Sequence, residues 1–428
     1  MKNIKEKFHL QIIIGTSLCM SLFFYFLSNH YFLDDGPSYR NAKNLIEDAS
    51  FDIGRTPVYP LIIASVRLFC EDPYLTHIIV FIQIAIFILS IPFFRYIAFT
   101  IAQSDKISFC TTLLYACCPH IIYWNRCTMT ESLAATGLIF FLYYIIRYLH
   151  TNKYQYIMKF HILIFFLIML RPSLLYLIPI IIIFWGYILI VKKKIVDFSK
   201  GIFFTIVSIL LILGYATGIK KEINVLSLTN VSIINQYILF SQSGLLDNVV
   251  RLSPVSFELD NFNEIQPEEE IAILTSKYGY KIINDFLQSE LKYNFKGYLL
   301  AVFSNLQQAG KKLVFIPGGF QENDNSSIGE FLLKSIVAIN LFFLQLYVFL
   351  LFYVIIFIYI YLKNRKLLLL PVLLWMIVCA NLAVIFLGAY GQYSRLMVPV
   401  YPIIILMFGV LACFIKVKIQ SSIVYNRK

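Results

Sequence analysis

Asp34-Asp35-Gly36-Pro37-Ser38-Tyr39, followed by Gly54-Arg55-Thr56-Pro57-Val58-Tyr59-Pro60, is a polar interruption between two apolar runs, and its reading decides how the rest of the chain threads a membrane. Asp35 is placed to cap a helix with Pro37 in its first turn, because a side-chain oxygen satisfies free backbone donors and proline has no donor to lose there. Tyr39 falls one turn on. Ala42, Leu45, Ile46 and Ala49 recur at helical spacing on one side, with Lys43, Asn44 and Glu47 mostly on the other. A second start follows: Thr56 as cap, Pro57 at the first helical position, and an apolar run to Phe69 closed by Cys70-Glu71-Asp72-Pro73. At about thirteen residues this run is too short to cross a bilayer, which takes about twenty. The expectation is two interfacial helices in a first outer loop, carrying an acidic pair, a tyrosine and an arginine.

The 428 residues are 59% hydrophobic and 14% charged, with a mean hydropathy of +0.75. That lies outside the soluble globular range and reads as an all-α polytopic membrane protein in a lipid bilayer. Lys2, Lys5 and Lys7 precede an apolar run from Phe8 to Leu27; it is long and no small-x-small cleavage site follows, so it reads as an uncleaved first span. The net charge of +12 sits in short loops between apolar segments, which excludes a nucleic-acid-binding basic domain. Cys19, Cys110, Cys117, Cys118, Cys379 and Cys413 fall in apolar segments as packing residues. Cys70 and Cys127 approach the expected outer face, where one disulfide is conceivable, and no metal-ligand spacing occurs.

Spans read as 8–28, 74–94, 106–122, 129–149, 155–170, 173–191, 200–218, 331–362, 367–388 and 396–415, about ten transmembrane helices. With the N-terminus inside, Arg95, Lys106, Arg147, Lys153, Lys159, Lys192, Lys193, Lys194, Lys200, Lys363, Arg365, Lys366, Lys416 and Lys418 all fall on the cytoplasmic side, as the positive-inside rule requires. If 57–69 crossed the bilayer, every later cluster would face outward, so the surface-helix reading holds. Both termini are expected in the cytoplasm.

The outer face then holds 29–73, the loop 119–130, the Arg171-Pro172-Ser173 corner, a segment of about 219–330, and 388–395. In 219–330, Pro267-Glu268-Glu269-Glu270 opens a helix through Leu291, and a second amphipathic stretch covers Tyr298 to Leu306. Turns close it at Pro317-Gly318-Gly319 and 323–327. Asn230-Val231-Ser232 and Asn325-Ser326-Ser327 match the short glycosylation sequon, a pattern expected by chance.

Ionisable groups beside or within the bilayer are costly and so are functional candidates: Asp34, Asp35, Arg55, His120, Arg126, Glu131, Arg171 and Arg395. Carboxylates with arginines suit a substrate with a hydroxyl to deprotonate and a phosphate to hold. A carboxylate general base contributes about 10² to 10⁴ in rate, and an arginine neutralises the departing phosphate. Each residue has a second reading. Asp35 is also a plain helix cap, leaving Asp34 the freer carboxylate. Thr128-Met129-Thr130-Glu131 fits a capping box, and Arg171 and Arg395 fit snorkelling to headgroups.

At these residues the chain resembles the GT-C fold membrane glycosyltransferases, in the bacterial branch related to protein O-mannosyltransferases and the lipid A aminoarabinose transferase. The resemblance lies in Asp34-Asp35, Tyr39 and Ala42 along a surface helix, and the Gly54 to Pro60 motif. Glu131 opening the fourth span, the Arg171 corner and Arg395-Leu396-Met397-Val398-Pro399-Val400-Tyr401-Pro402 continue it, with Leu396 where the family has tyrosine. It covers most of 1–190 and returns at 390–415, but does not extend to 219–330.

The resemblance implies a GT-C-like bundle of about ten helices. Asp34 would be the base facing the acceptor and Asp35 its acidic neighbour. Tyr39, Arg55, Tyr59, Glu131, Arg171 and Arg395 would bind substrate, with Arg55, Arg171 and Arg395 on the donor phosphate. A divalent cation, Mg or Mn, is the one cofactor the resemblance leaves open, with Asp34, Asp35 and Glu131 as its acidic groups.

The implied organisation is an N-terminal transmembrane module over 1–218 with its catalytic outer loop at 29–73, a periplasmic segment at 219–330, and C-terminal helices over 331–428. The expected activity is inverting transfer of a hexose or pentose from a polyprenyl-phosphate donor to an envelope glycan, lipid or protein, at the outer face of a bacterial inner membrane. The alternatives are an O-antigen-type polymerase using a lipid-diphosphate donor and a lipid-linked sugar flippase or transporter.

Overall fold

The computed structural model describes residues 2–27, 36–51, 53–70, 72–246, 266–309, 353–354, 369–388 and 393–412. Helices account for all the regular secondary structure among them apart from short 3-10 turns, and no strand is present there. Seven helices are long and apolar enough to cross a membrane: Lys7–Phe26, Tyr74–Ala102, Thr130–Thr151, Pro172–Ile190, Ile195–Ile223, Leu369–Gly388 and Arg395–Ala412. The chain is an all-α, multi-pass membrane protein.

In chain order the helices are α1 (Lys2–Leu27), α2 (Gly36–Glu47), α3 (Val58–Arg67), α4 (Asp72–Ala102), α5 (Asp105–Ala116), α6 (Pro119–Arg126), α7 (Thr130–Thr151) and α8 (Tyr154–Leu170). After a 3-10 turn at Pro172–Tyr176 come α9 (Leu177–Ile190), α10 (Ile195–Ile223), α11 (Val231–Gln242), α12 (Pro267–Tyr293), α13 (Phe295–Ala309) and α14 (Leu369–Gly388). The final span, α15, is Arg395–Ala412. The expected span 331–362 lies outside the described residues apart from 353–354.

The expected span 106–122 is not one helix. It is broken into α5 and α6, bent by 40°. Pro119 is the cause: it carries no amide hydrogen and crowds the helical conformation of the residue before it. Cys118 is accordingly extended, at φ −66° and ψ 111°. At 17 residues α8 is short for a span.

Antiparallel packing gives the bundle two chemically different ends. At one end Arg95 Nη2 donates to Asp105 Oδ1 at 2.9 Å, with His9 Nδ1 3.5 Å from Asp105 Oδ2. Tyr148 donates to Asp197 at 3.0 Å there. Left-handed Asn152 ends α7 at φ 53°, a conformation asparagine tolerates better than most residues. Its side chain accepts from Lys194 Nζ at 2.5 Å. This is the basic end. At the other, the loop end, Tyr25 pairs with His77 at 2.8 Å and Tyr39 with Thr76 at 3.3 Å. Tyr215 donates to the Arg55 carbonyl at 3.4 Å, the Asn230 amide to Ile53 O at 3.3 Å, and Tyr298 to Leu387 O at 2.6 Å.

The first loop differs in detail from its sequence reading. Helix α2 does hold Pro37 in its first turn, while Asp34 and Asp35 lie outside the described residues. Its buried residues are Ser38, Asn41 and Ala42, and Ile46 is 41% exposed. Small and polar side chains let α2 lie close against α3; of the expected apolar stripe, Ala42 is covered and Ile46 is not. Helix α3 starts at Val58 with Pro57 as its cap residue and no side-chain cap bond, one residue later than the Thr56 reading.

In the 219–330 segment, α12 opens at Pro267 as expected and runs to Tyr293, kinked at Gly279, whose φ of 77° and ψ of 159° suit glycine alone. Asn230, of the first sequon, is 8% exposed and donates to Tyr280 at 2.7 Å, a structural role; Asn325 lies outside the described residues. The turns expected at 317–327 lie outside them too.

Between α8, α9 and α10, Trp185 stacks on His161 (6.0 Å, 9°) and Phe160 (5.9 Å, 25°), while His161 Nε2 pairs with Thr205 at 3.0 Å. A methyl added at Gly201 would lie 2.0 Å from Trp185 Cε2, whereas one at Gly214 meets nothing within 4 Å. Gly201→Ala is therefore expected to lower stability by about 1–3 kcal/mol through overpacking, and Gly214→Ala to be neutral or slightly stabilising. Thermal unfolding of the two purified variants in one detergent checks the contrast.

Candidate functional site

The break before Pro119 sends the chain into a non-helical loop, Cys127 to Met129, before α7 begins at Thr130. A helix end inside a bilayer exposes carbonyls that no water reaches, so protein groups must satisfy them. Gln83, fully buried on α4, does this: its Nε2 donates to Asn125 O at 3.0 Å and Cys127 O at 2.8 Å. Tyr59 donates to Gln83 Oε1 at 3.4 Å, and Ser132 to Asn125 Oδ1 at 2.6 Å. Along α4, Gln83 lies about 10 Å from Thr76 and about 18 Å from Arg95. The network thus sits in the loop-end half of the bundle, below its rim.

Glu131 follows in the first turn of α7 and has no exposed surface. Arg395 Nε donates to its Oε1 at 2.5 Å. Arg171 Nη1 stands 3.1 Å from the same oxygen, in ionic contact without hydrogen-bond alignment. Thr130 Oγ1 lies 3.5 Å from Oε2. Each arginine is delivered by local chemistry. Pro172 forces Arg171 out of the α8 helix into extended backbone (φ −149°, ψ 102°), and Arg171 Nε donates to Ser173 Oγ at 3.0 Å. Arg395 opens α15, and Asn381 on α14 braces the two corners: Tyr176 donates to its Oδ1 at 3.5 Å and its Nδ2 donates to Leu396 O at 3.4 Å.

Two guanidinium groups thus share one carboxylate oxygen. Arg126, 4% exposed, ends α6 on the other side of the loop; it and Glu131 both act electrostatically on Cys127. Arginine's planar fork suits phosphate or carboxylate, which makes the paired arginines candidates for an anionic substrate group.

The capping-box reading of Thr128 to Glu131 is corrected. Met129 is the cap residue of α7, with no side-chain cap bond. Charged partners in a low-dielectric setting draw the Glu131 carboxylate to themselves. The same contacts make Glu131 a poor ligand for a divalent cation, since its charge is already met by guanidinium groups. Among the described residues no group of three His, Cys, Asp or Glu is arranged to hold a metal. Cys70 and Cys127 are free thiols, the latter buried, which rules out the disulfide considered between them.

Of the sequence candidates, Glu131, Arg171 and Arg395 come together, and Tyr59 reaches the same loop through Gln83. Arg55 is not among the charged partners of Glu131; its Nη1 donates to Gly54 O at 3.0 Å. Tyr39 is held at Thr76. His120 is buried edge-on against Tyr401, 4.6 Å between ring centres. Gln83, Asn125, Ser132 and Asn381 were missed. Gln83 and Asn381 do carry a signal, each being a lone amide within a long apolar run.

No protein-family profile and no characterised protein matches this chain.

Glu131→Gln is expected to cost about 3–5 kcal/mol, because it strands buried arginines without their counter-charge. A double-mutant cycle with Arg395→Gln, read by unfolding in detergent, should give a coupling energy well above zero. Gln83→Leu should cost about 1–3 kcal/mol for each carbonyl it abandons, read in the same assay.

Proposed function

We propose that this chain is a membrane glycosyltransferase of the GT-C type, moving a hexose or pentose from a polyprenyl-phosphate donor to an envelope glycan, lipid or protein. The observation that carries the reading is the Arg171–Glu131–Arg395 cluster, two arginines converging on one oxygen of a buried carboxylate. It lies at the loop end, where α1 finishes and α2 begins on either side of Asp34-Asp35. In this reading the arginines supply the phosphate site and the Asp34-Asp35 pair, which lies outside the described residues, supplies the carboxylates. Arg171 and Arg395 hold the donor phosphate, and Glu131 fixes their geometry. Tyr59 acts on the same region through Gln83. Tyr39 and Arg55 line the first loop.

In the reaction, the Asp34 carboxylate takes the proton of an acceptor hydroxyl, with Asp35 beside it. The acceptor oxygen attacks the anomeric carbon from the face opposite the phosphate. The carbon–oxygen bond to phosphate breaks, its electron pair leaves with the phosphate, and polyprenyl phosphate is released with inversion at the sugar. The arginines meet the charge that accumulates on that phosphate. No metal step is invoked.

Orientation follows from charge. Arg95, Lys106, Arg147, Lys153, Lys159, Lys192, Lys193, Lys194 and Lys200 gather at the basic end, which is then cytoplasmic, with both termini, leaving the cluster on the outer face of a bacterial inner membrane. Helices α2 and α3 are interfacial in this reading; α3, about 15 Å long, cannot cross. The expected total of about ten counts the bent α5–α6 pair and the shorter α8 as crossings beside the seven long helices.

The transporter reading has one observation in its favour, the broken α5–α6 pair, since broken helices mark transporter sites. The lipid-diphosphate polymerase reading shares the phosphate site. Release of free polyprenyl phosphate by the purified protein, given radiolabelled lipid-phosphate sugars and a crude envelope extract, separates the three. Asp34→Asn is expected to lower the rate by about 10² to 10⁴ with folded protein retained. Unchanged turnover removes Asp34 as the base, and no release from any lipid-phosphate sugar by folded wild type overturns the proposed function.

A further inference from the structure

The basic end contains a second cluster of cations, built differently from the first. The guanidinium carbon of Arg147, on α7, lies 5.6 Å from the ring centre of Tyr96, 6.0 Å from Tyr143 and 5.4 Å from Tyr156. Its Nε and Nη2 both donate to the Tyr156 hydroxyl, at 3.3 and 3.1 Å. On α8, Lys159 Nζ stands 5.6 Å from the Tyr144 ring and 5.9 Å from that of Tyr156. Lys153, just before α8, acts electrostatically on the same Tyr156. Three cations and four tyrosines from α4, α7 and α8 therefore share one crevice.

Among the described residues, no acidic side chain pairs with Arg147, Lys153 or Lys159. Elsewhere at this end the acids are committed: Asp105 to Arg95 and His9, and Asp197 to Lys194 and Tyr148. A ring face orders a cation without neutralising it, and leaves an ammonium group with donors to spare. Lys153 and Lys159 are exposed, and so are the apolar neighbours Met158 and Ile162, which continue down α8 toward the bilayer. Cations at headgroup level above an apolar helix face match a molecule with an anionic head and hydrocarbon tails.

We infer that the Arg147–Lys153–Lys159 crevice is a seat for an anionic phospholipid headgroup, in the leaflet opposite the proposed catalytic cluster. The phosphodiester lies across Lys153 and Lys159 with Arg147 behind, and the acyl chains run along Met158 and Ile162. The inference is independent of the glycosyltransferase reading, because it uses none of the residues at the loop end.

The test is native mass spectrometry of the full-length protein in detergent, titrated with phosphatidylglycerol and, as a neutral reference, phosphatidylcholine. Each basic residue near an anionic lipid surface is worth about fivefold in affinity, so Lys153→Gln/Lys159→Gln should weaken phosphatidylglycerol retention about 25-fold and leave phosphatidylcholine unchanged. Lys192→Gln/Lys193→Gln removes the same charge from the α9–α10 turn and should change retention by less than about twofold. Lys153→Arg/Lys159→Arg keeps the charge and should bind as wild type, which controls for misfolding. Equal losses in the two glutamine pairs would show only general attraction to a basic surface and overturn the seat. So would unchanged binding by Lys153→Gln/Lys159→Gln, or displacement of the lipid by inorganic phosphate.

Discussion

The exclusion of water from the bilayer interior governs this structure. An intact helix satisfies its own backbone, but the chain between Ala116 and Thr130 gives up that economy twice, at Cys118 and at Cys127 to Met129. The polar groups around it follow from the need to repair those breaks. Gln83 takes two orphaned carbonyls, Tyr59 and Ser132 extend the bonding, and Asn381 braces the corners that deliver the arginines. The same loop leads Glu131 into the interior at the start of α7, where a carboxylate is tolerated only with cations against it. Arg171 and Arg395 are those cations. The cluster is thus tied to the proline that breaks the helix, and its chemistry to the backbone conformation that the break imposes.

How much of this the sequence disclosed depends on whether a feature is local. Seven of the expected spans stand as single membrane-length helices, because hydropathy over about twenty residues is a property of the segment itself. The α5–α6 break was missed although Pro119 was in plain view: Ile121-Ile122-Tyr123-Trp124 keep the apolar character going, and composition does not register a bend. The α2 face was legible only in part. Periodicity pointed to Ala42, Leu45, Ile46 and Ala49; of these Ala42 is buried, together with Ser38 and Asn41, where α2 packs beside α3.

Glu131, Arg171 and Arg395 were each identified as costly charges near a membrane, but their meeting at one oxygen depends on packing between residues 40 and 264 positions apart. Local pattern favoured a cap for Glu131 and left snorkelling open for the arginines. Tertiary electrostatics prevailed over both. The amides of Gln83 and Asn381 were legible in principle, as single polar residues in runs that otherwise have none.

That separation of 264 residues bears on how the protein comes into being. During membrane insertion, α7 and α8 enter as neighbours, so Arg171 reaches Glu131 early. Arg395 arrives only with the last described span. Until then the carboxylate has half its cationic company, and α15 has a reason beyond apolar contact to dock where it does. The pairing ties the middle of the bundle to its last described span, and a chain whose final span strays keeps a buried acid with only part of its counter-charge.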